Sequence, residues 1–361
     1  MKATILTLAL ATAAAAQEAP ARPPVDVVFL VDCSGSMGQV IESAKQKVWS
    51  IANEIAKARP TPRLRIGLVA YGSSDKWTRT FDLSDDLDKV YENLMTFKVE
   101  ADGNEWVGWA IHHATTTMSW TKDAGALKVI FVLGNETARQ GPPEFDYSVT
   151  APAAIKQDIV VNAIYCGSAG GEETWAEFAR LAEGEYAAID ISGGVVAIAA
   201  PQDKEMVALN EKLNGTYIAY GKRGKEAKEN QVRQDANATQ AGGSRVLAER
   251  AACKSDGLYR NESWDLVDAC KQKEFKLENL KDEELPENMR KMSPAERKAF
   301  VASNAAEREK ISAQIQELAK ARQTFIDAEI KKQNLNASGA FDQVIQKTIR
   351  AQAEKKNFTF K

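Results

Sequence analysis

Asp32, Ser34 and Ser36 stand at alternate positions directly behind a mostly apolar run, in the stretch "VDVVFLVDCSGSMGQV" over residues 25–40. One carboxylate and two hydroxyls make an all-oxygen donor set. Such a set is a poor match for a soft transition metal and suits a hard divalent cation that keeps part of its water shell. Gly35 and Gly38 give the backbone the freedom for a tight turn from which all three groups point inward.

The flanking residues supply the elements that would hold this turn. Residues 25–31 read as a strand buried on both faces, and Val40, Ile41, Ala44, Val48, Ile51 and Ile55 then repeat at helical spacing. Further strands are predicted over residues 64–71, 127–133 and 159–165, with an edge strand over 78–83 and a last strand over 186–189. Helices are predicted over 85–95, 106–118 and 174–182. Continuous apolar strands need helices on both faces, so the expected fold is a doubly wound, mostly parallel α/β sheet followed by a mostly helical C-terminal region. In such a sheet the ligand site lies beyond the carboxyl ends of the strands, where Asp32 falls.

An apolar strand, then D-x-S-x-S-M, then an amphipathic helix resembles the metal-ion-dependent adhesion site (MIDAS) of the von Willebrand factor type A domain family, over residues 25–191. The resemblance implies Mg2+, with Mn2+ or Ca2+ as alternatives, and a protein partner whose acidic side chain completes the coordination. It implies binding and no catalysis. Where the family's second metal loop offers a threonine, this chain has "ADGNEWVGWAI", leaving Asp102, Asn104 or Glu105 as possible ligands. Where the family's third loop ends its strand on an aspartate, "FVLGNETARQGP" places Asn135, a neutral amide that can accept through its carbonyl. The whole arrangement, with "GNE", "QGP" and "SWDLVDA", is similar to that of exported bacterial proteins carrying this domain.

A hydrolase reading has less support. "SGSMG" over residues 34–38 comes within one residue of the G-x-S-x-G nucleophile elbow, but the first glycine is missing. The only two histidines, His112 and His113, fall side by side in a mid-domain helix, where adjacent side chains diverge by about 100°. No catalytic residue is assigned. The formal net charge of −3 and the lack of a recognisable motif argue against nucleic-acid binding.

Residues 1–16 read as a signal peptide: a basic start, a short apolar run and an Ala-Ala-Ala cleavage signal, followed by a tether over 17–24. The expectation is an exported protein, periplasmic or secreted, without a transmembrane segment. Export permits disulfides, and Cys253 and Cys270 close a short segment as a possible bridge. Cys33 and Cys166, at predicted strand ends, read as small semi-buried residues.

Beyond the sheet domain the pattern becomes charged and helical, divided here into an extension over 192–285 and a long-helix region over 286–361. Residues 222–252 are polar, with few large apolar positions. Trp264, Leu266 and Val267 form an apolar patch suited to docking on the first domain or on a partner. Ser293, Pro294 and Glu296 form a capping box, and the helix they start runs without a breaker to about residue 334. Ile311, Ile315, Leu318 and Phe325 mark a seam interrupted by Arg322, suited to an antiparallel hairpin or coiled coil with residues 341–349, or to a homodimer. The alternative to a metal-dependent adhesion module is a metal-free scaffold whose helical half carries recognition.

Overall fold

A computed structural model of the 361-residue chain describes residues 22–72, 78–100, 104–167, 170–189, 197–335 and 340–360. The elements run β1 (Pro24–Asp32), α1 (Gly38–Ala56), β2 (Ala58–Arg59), β3 (Arg63–Tyr71), β4 (Arg79–Ser84), α2 (Leu87–Met95), α3 (Val107–Thr117), β5 (Leu127–Gly134), α4 (Tyr147–Ile155), β6 (Val160–Tyr165), α5 (Glu172–Leu181) and β7 (Tyr186–Ala188). The helical half follows as α6 (Asp203–Gly215), α7 (Gly224–Lys254), α8 (Leu266–Ala269), α9 (Glu287–Arg290), α10 (Pro294–Lys332) and α11 (Phe341–Lys355), ending in β8 (Thr359–Phe360).

The main sheet has the order β4-β3-β1-β5-β6-β7. Only the edge strand β4 is antiparallel to its neighbour; Val28 of β1 pairs in parallel register with Gly67 of β3 and with Ile130 of β5. Because side chains alternate along a strand, β1 feeds two cores. Val27, Phe29 and Val31 join a core with α1 and α2, whereas Val28 and Leu30 join another with α3, α4 and α5. Helix α4 carries no clear sequence signal, because Pro152 interrupts its pattern; the Asp146 side chain caps it by accepting from the Ser148 amide at 2.8 Å.

The helical half shares the first core. Met206, Leu213, Val246, Ile311, Phe341 and Ile345 pack in one cluster with Val48 and Ile55 of α1, so the first core runs across residue 191. Ile218, Leu266, Val267, Leu277, Leu285, Met289 and Val301 form a satellite cluster within the helical half. Trp264 is buried beside Tyr217, and Leu266 and Val267 are buried in the satellite, so the expected patch is interior.

Helix α7 takes up most of the polar stretch 222–252, within the expected helical extension, and is kinked at Gly242 and Gly243. Before the kink its buried face is mostly polar, with Gln231, Gln234 and Asp235, and after it Arg250 and Lys254 are buried among Val246, Leu247, Ala248 and Ala251, which blurs the apolar period. Helix α10 lies on α6, α7 and α8, and α11 lies on α1, so the two form no hairpin or coiled coil. Ile311 and Ile315 of the supposed seam sit in the chain's own core, and the buried Arg322 donates to Asp203 at 2.7 Å and to Glu249 at 3.4 Å. Cys253 is buried and Cys270 exposed, and both are free thiols.

Buried charges bind the two halves together. Arg250 of α7 is fully buried and donates to Asp88 of α2 and to Asp235, each at 2.6 Å, while Lys254 approaches Asp235 at 3.2 Å. Although burial penalises its charge, Lys254 and Arg250 hold the Asp235 carboxyl well below the usual carboxylate range. The stability it contributes is therefore fully present above the unfolded-state carboxylate pKa and is lost as pH falls through the depressed folded value. Asp235→Asn, which leaves two buried cations short of a partner, should cost about 3 kcal/mol or more at pH 7. In urea melts, its deficit against the wild type should shrink steadily below about pH 4.

Candidate metal centre

Alternation along β1 decides where Asp32 points. It shares parity with Val28 and Leu30, the residues that face α3, and Glu105 stands two residues before that helix begins. The two carboxyl groups consequently meet. Burial, and next the opposing Glu105 charge, push the Asp32 carboxyl well above its ordinary range. Glu105 is also raised, chiefly by burial, with the Ser34 and Asp32 side chains partly offsetting this.

The loop after β1 is a short 3-10 turn, Gly35–Met37, that runs directly into α1. Asp32 Oδ1 accepts from the Ser34 amide at 2.8 Å, which fixes the carboxyl plane. Its Oδ2 atom, the Ser34 hydroxyl and Asn135 Oδ1 are all buried with no hydrogen-bond partner. Asn135 lies just beyond β5 and its Nδ2 donates to Ser36 Oγ at 2.7 Å, joining the third loop to the first. A buried polar atom left unmatched costs about 1–3 kcal/mol, so three such oxygens around one turn are a binding site or a defect.

Glu105 is brought to Asp32, Asn104 is exposed, and Asp102 lies outside the described residues. The oxygens gathered among the described residues come from Asp32, Ser34, Ser36, Asn135 and Glu105, with two carboxylates. This chemistry fits a hard divalent cation, and the second carboxylate restores the charge that an amide at position 135 withholds.

Supporting residues were less legible. Gln140 accepts from the Glu105 amide at 3.0 Å and donates to Glu136 Oε2 at 3.1 Å, bridging the second and third loops. Its neighbour Gly141, at φ +96°, lies against the Trp106 ring, so the "QGP" run is a turn moulded to the site loop. Cys33 donates its amide to Tyr71 O at 2.8 Å and accepts from Glu100 at 3.1 Å; its thiol, pushed up to about 12 by burial, is inert. His113 faces Thr80 at 2.8 Å and His112 lies beside the Trp109 and Phe145 rings, so neither meets Ser34 or Ser36. Among the described residues no helix is long and apolar enough to cross a membrane.

Gly72 was not anticipated. It sits at φ +98°, and a Cβ there would stand 2.3 Å from Asp32 Oδ1 and 3.5 Å from Glu105 Cγ. Gly221, at φ +73°, has nothing within 4 Å and serves as a control for backbone strain alone. Gly221→Ala should cost about 1 kcal/mol. Gly72→Ala should cost at least about twice that, since the site must also shift. Equal losses in thermal melts would show that Gly72 does not pack on the site.

Residues 26–188 match the family model for the von Willebrand factor type A domain, a module that often mediates protein interactions and is in some cases metal-dependent. Among solved structures, the conserved hypothetical protein BatB from Bacteroides thetaiotaomicron is similar at 19% identity, over 46% of this chain and 90% of that one, with a TM-score of 0.37. Proximal thread matrix protein 1 from the mussel byssus, with a zinc-occupied MIDAS motif, is similar at 15% identity, over 47% of this chain and 42% of that one, with a TM-score of 0.39. The pilus adhesin SpaC from Lactobacillus rhamnosus GG, in its open conformation, is similar at 15% identity, over 47% of this chain and 28% of that one, with a TM-score of 0.37. No curated protein matches the chain.

Proposed function

We propose, from the premise that residues 26–188 form a von Willebrand factor type A domain, that this chain is an exported protein-binding module of the adhesion or scaffold type that works through a divalent cation. The observation that carries the reading is the group of unmatched buried oxygens, Asp32 Oδ2, Ser34 Oγ and Asn135 Oδ1, beside the Glu105 carboxyl. Export rests on the pattern of residues 1–16, which lie outside the described residues.

Asp32, Ser34, Ser36, Asn135 and Glu105 would hold the ion, with Mg2+ favoured by the hard oxygen set and Mn2+ or Ca2+ as alternatives. When bound, the cation offers an open position to an acidic side chain of a protein partner. Asp32 is the anchor, because its buried carboxylate is fixed by the Ser34 amide. Asn135 keeps Ser36 aligned, and Glu105 brings the second negative charge. Nothing in this group supplies a nucleophile with a base, so the proposed role is binding.

Titration calorimetry of Mg2+, Mn2+ and Ca2+ into the chelator-stripped chain should give heat that vanishes in Asp32→Ala while circular dichroism stays native. Asn135→Asp should tighten binding about tenfold or more, since an added charge a few ångströms from a divalent ion exceeds 1.4 kcal/mol even when strongly screened. Glu105→Gln should weaken it by a similar factor. A folded wild-type chain that gives no heat with any of the three ions overturns the metal reading and leaves the metal-free scaffold.

A further inference from the structure

The surroundings of the Asp32 site are unevenly charged. On the side of β5 and α5, residues 136–146 and 172–177 hold six carboxylates, Glu136, Glu144, Asp146, Glu172, Glu173 and Glu177, against one cation, Arg139. The two segments are packed together: Trp175 Nε1 donates to Glu136 O at 2.6 Å, and the Ala138 amide donates to Thr174 Oγ1 at 2.9 Å. Arg139 reaches Glu177 at 3.3 Å and Asp146 at 3.8 Å. Glu136, Glu144, Glu172 and Glu173 are exposed and form no ion pair among the described residues. Across β1 in the sheet, on the side of β4, Arg79 pairs with Glu100 at 2.8 Å, and the exposed Lys98 precedes that carboxylate by two residues.

Glu136 belongs to the site's own wall. Its Oε2 accepts from Gln140 at 3.1 Å, and Gln140 in turn accepts from the Glu105 amide at 3.0 Å, so one side chain joins the two glutamate positions. The Glu136 charge helps to push up the Glu105 carboxyl. That carboxyl meets Asp32 and Ser34, which are 0% and 4% exposed and whose Oδ2 and Oγ atoms are unmatched. Glu172 and Glu173 have a second role, because carboxylates in the first turn of α5 stabilise the helix. Glu136 caps no helix, and its Oε1 accepts no hydrogen bond among the described residues.

Charge balance says what this wall would accept. A divalent cation at Asp32 is balanced by the Asp32 and Glu105 carboxylates alone. The acidic side chain that completes the coordination then adds a negative charge beside Glu136. Brought in alone, that side chain is repelled by the wall; accompanied by a cation, it is drawn there, since like charges across an interface are costly and opposite ones fix register.

We infer that the partner's metal-bound carboxylate is accompanied by a lysine or arginine that meets Glu136, with Glu172 and Glu173 extending the same acidic side. This rests on the divalent-cation reading of the Asp32 site and adds to it the charge pattern by which the site selects its partner. Glu136 is a specificity residue in this account and does not ligate the ion.

The test is selection of a phage-displayed library of random seven-residue peptides on the full chain in Mg2+, with elution by chelator. Eluted sequences should contain aspartate or glutamate, with lysine or arginine close by at about three times their frequency in the unselected library, the gain of a surface ion pair. Selection on Glu136→Lys should keep the acidic residue and lose the basic one. A selected peptide whose basic residue is changed to glutamate should bind Glu136→Lys more tightly than it binds the wild type. Chelator-eluted acidic sequences with no basic enrichment, or an enrichment that persists in Glu136→Lys, overturn the inference and leave the metal reading standing. Loss of the Mg2+ heat in Glu136→Gln makes Glu136 a ligand and overturns it as well. A library that yields no chelator-eluted sequence counts against the metal reading and this inference together.

Discussion

Arg250 is the tie on which the two halves depend. It is fully buried, takes one carboxylate from α2 in the sheet domain and one from α7 in the helical half, and lies 4.7 Å from the centre of the Trp49 ring. A guanidinium removed from water is tolerable only when its donors are matched, so this position requires α2, α7 and α1 to be assembled around it. Satellite pairs repeat the arrangement along the same interface. Glu54 of α1 receives Arg350 of α11, and Asn162 of β6 exchanges hydrogen bonds with Gln352. These are directional contacts, which fix how the helices sit on the sheet more sharply than apolar packing alone.

The group around Asp32 has the opposite character. Where Arg250 is compensated, Asp32 and Glu105 bring like charges together, and several oxygens are left unmatched. The surrounding backbone holds this arrangement in place: the Ser34 amide fixes one carboxyl, Gly72 makes room for it, and Gln140 ties the Glu105 loop to the next.

Much of the sheet was legible because its signal is repeated. Continuous apolar runs at β1, β3, β5 and β6 can only be strands covered on both faces, and the D-x-S-x-S turn sits where such a strand must end. The helical half was read less well, and α7 shows why. Its buried positions include glutamine, aspartate, arginine and lysine, which look like a solvated surface until their partners from α2 and α6 are present. The α10 seam failed for a related reason. Its apolar residues showed that something covers them, but only packing decided that the cover is α6 and α7 of the same chain.

By itself the sequence determined the strands, the turn that carries Asp32, Ser34 and Ser36, and the long capped helix α10, because each follows from spacing within a few residues. Tertiary structure decided the rest. Strand parity and the placement of α3 brought Glu105 to Asp32, a meeting that spacing along the chain left open. Whether a charged residue is surface or interior, as for Arg250 and Arg322, depends on where a partner more than ten residues away along the chain comes to lie. Local periodicity records only that a face is apolar or polar, whereas the burial of a charge depends on contacts between elements.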